Sequence, residues 1–500
     1  MIFEPIYYAD RLRTVNPSGD VGVVTLWSPV TVVARKFAEW GIDLDPHSSR
    51  IAVFGNLYGN GLPHLFRNLL WNPQISHLLV LGQNLSGSTE HLTHFFELGL
   101  EEAEMLGSKV FRILGTTRFI DGLVTPSDFV HPPSIRVLGI LTSETTKPDA
   151  ISFFHALPPR TVPLPERKQI DLPKVEVTRY PSEPRSHTIA RNGILDAWQE
   201  LVFRLVRFGH RHQLQKGGRI ELQNVKVIVQ DPIEDSDDAL RHFGFDPDRF
   251  REYQIRMLQA QRADETSYTY GNRIRGYYNR DGSVLDFIDS SILRLRADPQ
   301  TRHAFMSLWD TAHDGDENGS SPCLVTLFLR LFDERLTLTA TFRTHNAMSA
   351  WPENVWGLIA IQRAICAGTQ LPPGPITVIS HSISVDADPA VLARAQEIAR
   401  QRVSDDDVAP GTGKRELRFD PNGEFTITID HASREIVAQH TFEGMLLTEY
   451  RGKTARDIET QIARDCAISQ ISHALYVGRE LAHSENSIKL LKQERSTVAC

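Results

Sequence analysis

Cysteine is scarce. Four occur in 500 residues, Cys323, Cys366, Cys466 and Cys500, and none belongs to a CxxC pair. That spacing excludes a disulfide framework and a thiolate zinc site, and it fits a reducing cytoplasm. Long hydrophobic runs are missing too: stretches such as Ile75–Gly82 and Leu324–Phe332 are interrupted by His77 or Arg330, well short of the ~20 residues a membrane helix needs. The opening MIFEPIYYAD has neither a basic start nor a long apolar core, so no secretory signal is expected. A basic excess is absent as well. The net charge of -8 argues against a surface that coats nucleic acid, although a local arginine cluster can still meet a small anion. No solenoid-like repeat or low-complexity tract is visible.

What is present reads as an ordinary folded chain, 41% hydrophobic and 23% charged, and its length predicts about three domains. Residues 157–187 carry seven prolines, Pro158, Pro159, Pro163, Pro165, Pro173, Pro181 and Pro184, and favour extended backbone. Residues 404–415, SDDDVAPGTGKR, are polar and rich in turn formers. These linkers delimit domains at 1–156, 188–403 and 416–500. The expected fold is α/β and α+β multidomain: an N-terminal parallel α/β domain, a central α+β domain and a small C-terminal α+β domain.

In the first part, Val21–Leu26, Arg50–Phe54, His77–Leu81 and Lys109–Leu114 have strand character, and Leu92–Leu106 has helical spacing. That order predicts a parallel sheet, with the glycine-bearing loops 55–61 and 82–88 at strand ends where α/β proteins bind ligands. Tight turning alone explains those glycines equally well. In the middle, Leu324–Phe332, a turn at Asp333-Glu334 and Leu336–Phe342 predict a hairpin. A helix follows with Pro352 in its first turn, Glu353 near its positive end and Gly368 as its stop, then a strand over Ile376–Val385. The last part predicts a hairpin, Phe425–Asp430 with Ile436–Phe442, and helices over Ala455–Ile468 and Ile471–Leu491.

A lone cysteine is usually an inert core residue. Cys323 differs in its neighbours. Ser321-Pro322 places it at a strand start after the polar loop His313–Ser320, where a thiol can be reached. Arg343 lies at the far end of the paired strand, and a guanidinium turned toward a thiol lowers its pKa. Thr344, His345, Asn346 and Asn354 then supply more hydrogen-bonding groups than a plain core tolerates.

Ser321-Pro-Cys-Leu324, Phe342-Arg-Thr-His-Asn346, Trp351-Pro-Glu-Asn354 and Ser380-His-Ser382 together resemble thymidylate synthase and the related pyrimidine-nucleotide hydroxymethylases, in the style of the archaeal branch. Tyr268-Thr-Tyr-Gly-Asn-Arg273 and Asp298-Pro-Gln-Thr-Arg302, followed by Trp309, extend the likeness, which spans about 120 residues. The resemblance implies a homodimeric transferase that adds a one-carbon unit, methyl or hydroxymethyl, from methylenetetrahydrofolate or a related reduced pterin carrier to C5 of a uridylate-type pyrimidine nucleoside monophosphate. Cys323 would add to C6 as nucleophile. Arg343 would grip the phosphate and hold the thiol ionised, Thr344 would add a hydroxyl contact, and Arg302 would reach the neighbouring subunit's phosphate. Asn354 would read the base, since a carboxamide accepts from uracil N3–H and donates to O4. Tyr270 and Trp309 match pocket-lining positions, where packing alone is an equal reading. His381 matches the residue beside the sugar.

Departures from the family are equally specific. Asn346 replaces an Asp that contacts the pterin, His303 the second of an Arg pair, and Ile383 a Tyr that bonds the sugar 3′-hydroxyl, which leaves a ribonucleotide compatible. Leu324 follows the cysteine where many members have His. Around Gln213–Arg219 the usual phosphate-binding Arg is out of register, and Lys216 or Arg219 could substitute. The proton-transferring Glu has only Glu252 as a candidate. The alternative function is a non-catalytic nucleotide- or one-carbon-carrier-binding protein on the same scaffold.

From Arg50 through Gly122, with Asn72-Pro-Gln-Ile-Ser-His77, Gly82 and Gly115-Thr116, the chain is similar to the A subunit of tetrahydromethanopterin S-methyltransferase, a corrinoid protein. The aligned cobalt ligand is Ser88, with His91 nearby. A hydroxyl replaces imidazole poorly, which argues against a bound corrinoid. The C-terminal part, with His473-Ala-Leu-Tyr-Val-Gly-Arg-Glu480, resembles an uncharacterised domain often joined to synthase-like chains. His473 reads there as a helix surface or packing residue rather than a ligand.

Overall fold

The computed structural model describes residues 1–105, 108–160, 163–173, 179–214, 217–263, 266–315, 321–402 and 420–498. Lys216, Cys500, the linker at 404–415 and part of the loop before Ser321 lie outside the described residues. Two compact units divide between Ser182 and Glu183, within the proline-rich stretch.

The first unit contains β1 (Arg13–Thr14), β2 (Val21–Val24), α1 (Val30–Glu39), β3 (Ile51–Gly55), α2 (Leu62–Trp71), β4 (His77–Val80), α3 (Ser88–Glu97), β5 (Leu100–Met105), β6 (Ser108–Ile113), β7 (Phe119–Ile120), β8 (Ser134–Val137) and α4 (Thr146–His155). Its main sheet runs β1-β3-β2-β4-β8, parallel except for β1. β2 is buried throughout and β3 nearly so, as strands covered on both faces must be. Phe66, Leu92 and Phe95 fill one face, and Val33, Phe37 and Ala150 the other.

Two expectations fail here. The helix expected over Leu92–Leu106 ends at Glu97, because Gly99 takes a left-handed φ of +83° and turns the chain into β5. The expected fourth parallel strand at Lys109–Leu114 is β6, which pairs antiparallel with β5 and β7 in a separate sheet; β8 takes its place beside β4.

Fully buried Arg67 ties this unit together. Its guanidinium forks onto Asp121 at 3.0 and 3.1 Å and donates to the carbonyls of Pro63, Ile170 and Asp171. Asp121→Ala leaves that cation uncompensated and is expected to cost about 3–5 kcal/mol. An unchanged denaturant midpoint for the N-terminal transition would contradict this.

The second unit begins with β9 (Thr188–Arg191), α5 (Ile194–Phe208), β10 (His210–Leu214), β11 (Gly217–Val229), α6 (Asp237–His242), α7 (Pro247–Leu258) and α8 (Tyr270–Arg275). A small hairpin, β12 (Asn279–Arg280) and β13 (Ser283–Val284), precedes α9 (Phe287–Ala297), β14 (Phe305–Ser307), β15 (Leu324–Phe332), β16 (Arg335–Phe342), β17 (His345–Asn346), α10 (Ala350–Thr369), β18 (Pro373–Asp386) and α11 (Pro389–Arg400). The sheet order is β10-β11-β18-β16-β15-β14, with β9 against β11 and β17 against β18.

The hairpin forms as expected, turning through Asp333 and Glu334, both left-handed at φ 49° and 59° as a two-residue loop requires. Parallel β16 and β18 are joined by α10, whose apolar residues are buried nearly all round. Gly368 does not stop α10. It lies inside the last turn against Ile292, and left-handed Gln370 ends the helix. Earlier in α10, Gly357 lets α7 approach closely: a Cβ there would meet Met257 Cγ at 2.7 Å and Tyr253 Cε1 at 2.8 Å.

The C-terminal residues form a meander of β19 (Glu424–Asp430), β20 (Glu435–Phe442) and β21 (Met445–Gly452), then α12 (Ala455–Arg464) and α13 (Ile471–Val498). The expected hairpin is there with a third strand beside it, and the first helix ends before Ile468 because left-handed Cys466 breaks it. His473 packs as a helix residue, its Nδ1 3.0 Å from Asp420 Oδ2. Among the described residues, no helix is long and apolar enough to cross a membrane, and no cluster of potential metal ligands occurs.

Candidate active site

A cavity of about 620 Å³ opens in the second unit between the start of β15, the chain around β17, the first turn of α10 and one face of α7. It gathers Cys323, Tyr270, Thr344, Asn346 and Asn354 from positions spread over 85 residues. Arg219 also lines it.

Half-buried Cys323 is held by its backbone. The Arg343 amide donates to the Cys323 carbonyl at 2.9 Å, and the Leu324 amide donates to Tyr270 Oη at 3.2 Å. Three phenols surround the thiol. Burial raises the pKa of Tyr253, Tyr268 and Tyr270, and their nearness to Cys323 raises each further, so all three are neutral donors. Tyr268 opens a motif of the family likeness that carried no role for it, and Tyr253 is an addition for which the helical phase of α7 is the available signal.

Asn354 is fixed at both ends. Tyr253 Oη donates to its Oδ1, and its Nδ2 donates to His345 Nε2 at 2.8 Å. His345 Nδ1 is 2.8 Å from Ser380 Oγ, so with Nε2 accepting, the neutral ring carries its proton on Nδ1. Complete burial pushes the His345 pKa down to about 3, and the ring stacks on Phe342 at 3.9 Å. The carboxamide retains one N–H and one lone pair, the pair of functions a uracil edge can use.

Asn346 is largely committed. Its Oδ1 accepts from the amides of Met348 and Ser349, and its Nδ2 donates to Asp386 Oδ2 at 3.1 Å. Asp386 also pairs with Arg219, its neighbour across β11 and β18. An aspartate at 346 would face that carboxylate, which accounts for the asparagine. Asn346→Asp is therefore expected to lose about 1.5–3 kcal/mol above about pH 6, the worth of a bond to a charged group, and to recover as pH falls from about 6 to 4 and the added carboxyl, its pKa raised by Asp386, protonates. Denaturation curves at pH 4 and 7 check this; an equal loss at both would contradict it.

Four expected residues, Arg343, Trp309, Arg302 and His381, lie off the cavity wall. The Arg343 guanidinium donates to the carbonyls of Pro322 and Ser321, each at 3.0 Å, 5.9 Å from the Trp309 ring centroid. It reaches the segment leading into Cys323 rather than the cavity itself. Arg302 is exposed. Exposed His381 meets Asn224 at 3.0 Å, where left-handed Asn224 interrupts the pairing of β11 with β18. Ile383, which stands where the family has a Tyr, is buried on β18 beside His345 of β17.

Glu252 is exposed and points away, because α7 turns Tyr253, Arg256 and Met257 inward instead. The cavity's carboxyl is Glu353, paired with Arg249 at 2.7 Å. In the first unit, Ser88 is buried and its Oγ lies 2.8 Å from Ser86 Oγ. A separate cavity there of about 330 Å³ is largely apolar, and its Asn56 and Asn68 are spent on local partners.

In this mixed α/β domain the sheet and the crossover helix bring a thiol and an oriented carboxamide together on one cavity. Residues 194–402 match the family model described as thymidylate synthase, and residues 419–494 match one described as PterinBD-DUF4346. Among curated relatives, each named "Putative thymidylate synthase", the chain is 30% identical to one from Methanococcoides burtonii over 193 residues, covering 38% of this chain and 86% of the relative. A relative from Methanothermobacter thermautotrophicus is 27% identical over 229 residues, 43% of this chain and 99% of its own length. The chain belongs to the thymidylate synthase family. Neither family match reaches residues 1–193.

Proposed function

We propose that this protein transfers a one-carbon unit to C5 of a uridylate-type nucleoside monophosphate through a covalent adduct on Cys323. The observation that carries the reading is the single cavity shared by the Cys323 thiol and the doubly anchored Asn354 carboxamide. Pyrimidine C5 is a weak nucleophile. Addition of the Cys323 thiolate at C6 turns the ring into an enolate and makes C5 reactive. Asn354 holds the N3–O4 edge, and Tyr270 backs the ring. Arg343 and Thr344 bind the phosphate, with Arg302 reaching from the neighbouring subunit. To do so Arg343 gives up the Pro322 and Ser321 carbonyls. Trp309 and His381 flank the nucleotide.

A reduced pterin of the methylenetetrahydrofolate kind supplies the one-carbon unit. The C-terminal match supports a pterin carrier, and in the cavity Arg219, Ser384 and the remaining N–H of Asn346 would hold its ring edge. The domains in this reading are 1–156, 188–403 and 416–500.

The decisive experiment is mass spectrometry after incubation with 5-fluoro-dUMP and a reduced folate. An adduct on the Cys323 peptide supports the reading. Tight nucleotide binding without an adduct would identify a non-catalytic binding protein instead.

A homodimer fits the open sheet face, where Phe305 and Phe328 lie 4.9 Å apart and Phe332 is 56% exposed. Phe328→Asp is expected to halve the mass measured by light scattering and to abolish any adduct. A monomeric wild type would overturn the dimer.

A further inference from the structure

Sulfur addition and C5 substitution both need a proton carrier. The phenols around Cys323 have pKa values raised by burial, and His345 has both ring nitrogens engaged. Neither group cycles a proton near neutrality. Among the described residues lining the cavity, Glu353 is the one carboxyl.

Its setting suits the task. Glu353 precedes Asn354 in the first turn of α10, so the carboxyl and the base-reading carboxamide share one short piece of rigid backbone. The side chain is 12% exposed, and Arg249 Nε holds Oε1 at 2.7 Å. Burial raises the carboxyl's pKa against the pull of Arg249 and Arg256. Glu353 also raises the pKa of Tyr253, the phenol seated on Asn354 Oδ1, which places its charge close to that edge.

We infer that Glu353 is the proton-transferring group of this cavity, acting on the pyrimidine at O4 and C5. The inference rests on the function proposed above. As the thiolate pair forms the S–C6 bond, the C5=C6 pair shifts to make C4=C5 and the carbonyl pair moves to O4, which takes the carboxyl proton. Glu353 is left as carboxylate. Without a carrier the cycle still exchanges hydrogen: enol C5 takes a solvent proton as the O4–H proton leaves to solvent, the Glu353 carboxylate removes the original C5 hydrogen and is again protonated, and the electron pair returns to C5=C6 to expel the sulfur as thiolate.

The test is tritium release from 5-tritiated dUMP and UMP by the full-length protein, without carrier, from pH 5 to 9. Glu353→Gln is expected to lower release about 10²–10⁴-fold with nucleotide affinity nearly unchanged, and Glu353→Asp to restore part of it. Arg249→Ala should keep release but move its carboxyl-dependent limb to higher pH, because a cation that favours the ionised form is gone. Equal losses in Glu353→Gln and Arg249→Ala with an unmoved profile would reduce Glu353 to an ion-pair partner and overturn the inference, as would full release by Glu353→Gln. No release by wild type would remove the proposed function and the inference together. Release by wild type that Glu353→Gln matches removes the inference alone.

Discussion

Replacing Cys323 with alanine is expected to abolish one-carbon transfer, a loss of at least about 10³-fold, while nucleotide binding and folding persist. In the proposed reaction the thiol cannot be spared, since without S–C6 bonding C5 stays unreactive. The fold can spare it. Cys323 packs half-buried at the edge of the central core, its carbonyl takes the Arg343 amide, and it lines the cavity, so loss of one sulfur leaves the backbone tie in place. Cys366 is the internal control. It lies half-buried on α10 with its thiol pushed up to about 11, so it stays protonated, and Cys366→Ala should leave the rate unaltered. Paired rate and affinity measurements decide the matter. A Cys323→Ala protein that turns over at a tenth of the wild-type rate would require a different chemistry.

The second large effect is acid sensitivity of the central fold through His345. Its folded pKa, about 3, lies below the ordinary histidine value near 6.5. Between those values the unfolded chain binds a proton that the folded one refuses. Stability therefore falls as pH drops from about 6.5 toward 3, by about 1.4 kcal/mol per unit. Asp235 acts oppositely. Burial raises its carboxyl to about 6, so its share of stability is present in acid and lost as pH rises toward 6. The two partly cancel between about pH 4 and 6, and comparison with a variant isolates the histidine. His345→Phe should flatten the acid limb while costing about 2–4 kcal/mol at pH 7, because Asn354 Nδ2 and Ser380 Oγ lose a partner. Identical pH slopes in both proteins would refute the assignment. The same variant should weaken nucleotide binding, since the free end of Asn354 can then turn.

Period-two alternation from Leu324 to Phe342 made the hairpin plain in the sequence and carried Cys323 to the start of one strand opposite the end of the other, where Arg343 follows. Asn346 and Asn354 stood out because the polar residues cluster. The proton carrier was not legible. Tyr253 and Glu353 are 100 positions apart, and no local pattern announces that α7 and α10 meet. Residue type alone points to Glu252, whereas helical phase turns it to solvent. The strand β21 was missed for a similar reason. Its Met445, Leu446 and Leu447 are all exposed, so no buried face imposes alternation.

The close seat of α10 on α7 at Gly357 also sets how far the Tyr253 ring stands from the site. A methyl group added there would strike Tyr253 and Met257 directly, pushing the phenol off Asn354 without touching any ligand. In the proposed function the discrimination between bases is thereby geared to a spacer one helical turn below Asn354. A search for variants with altered nucleotide preference can begin at that hidden contact as profitably as at the visible wall.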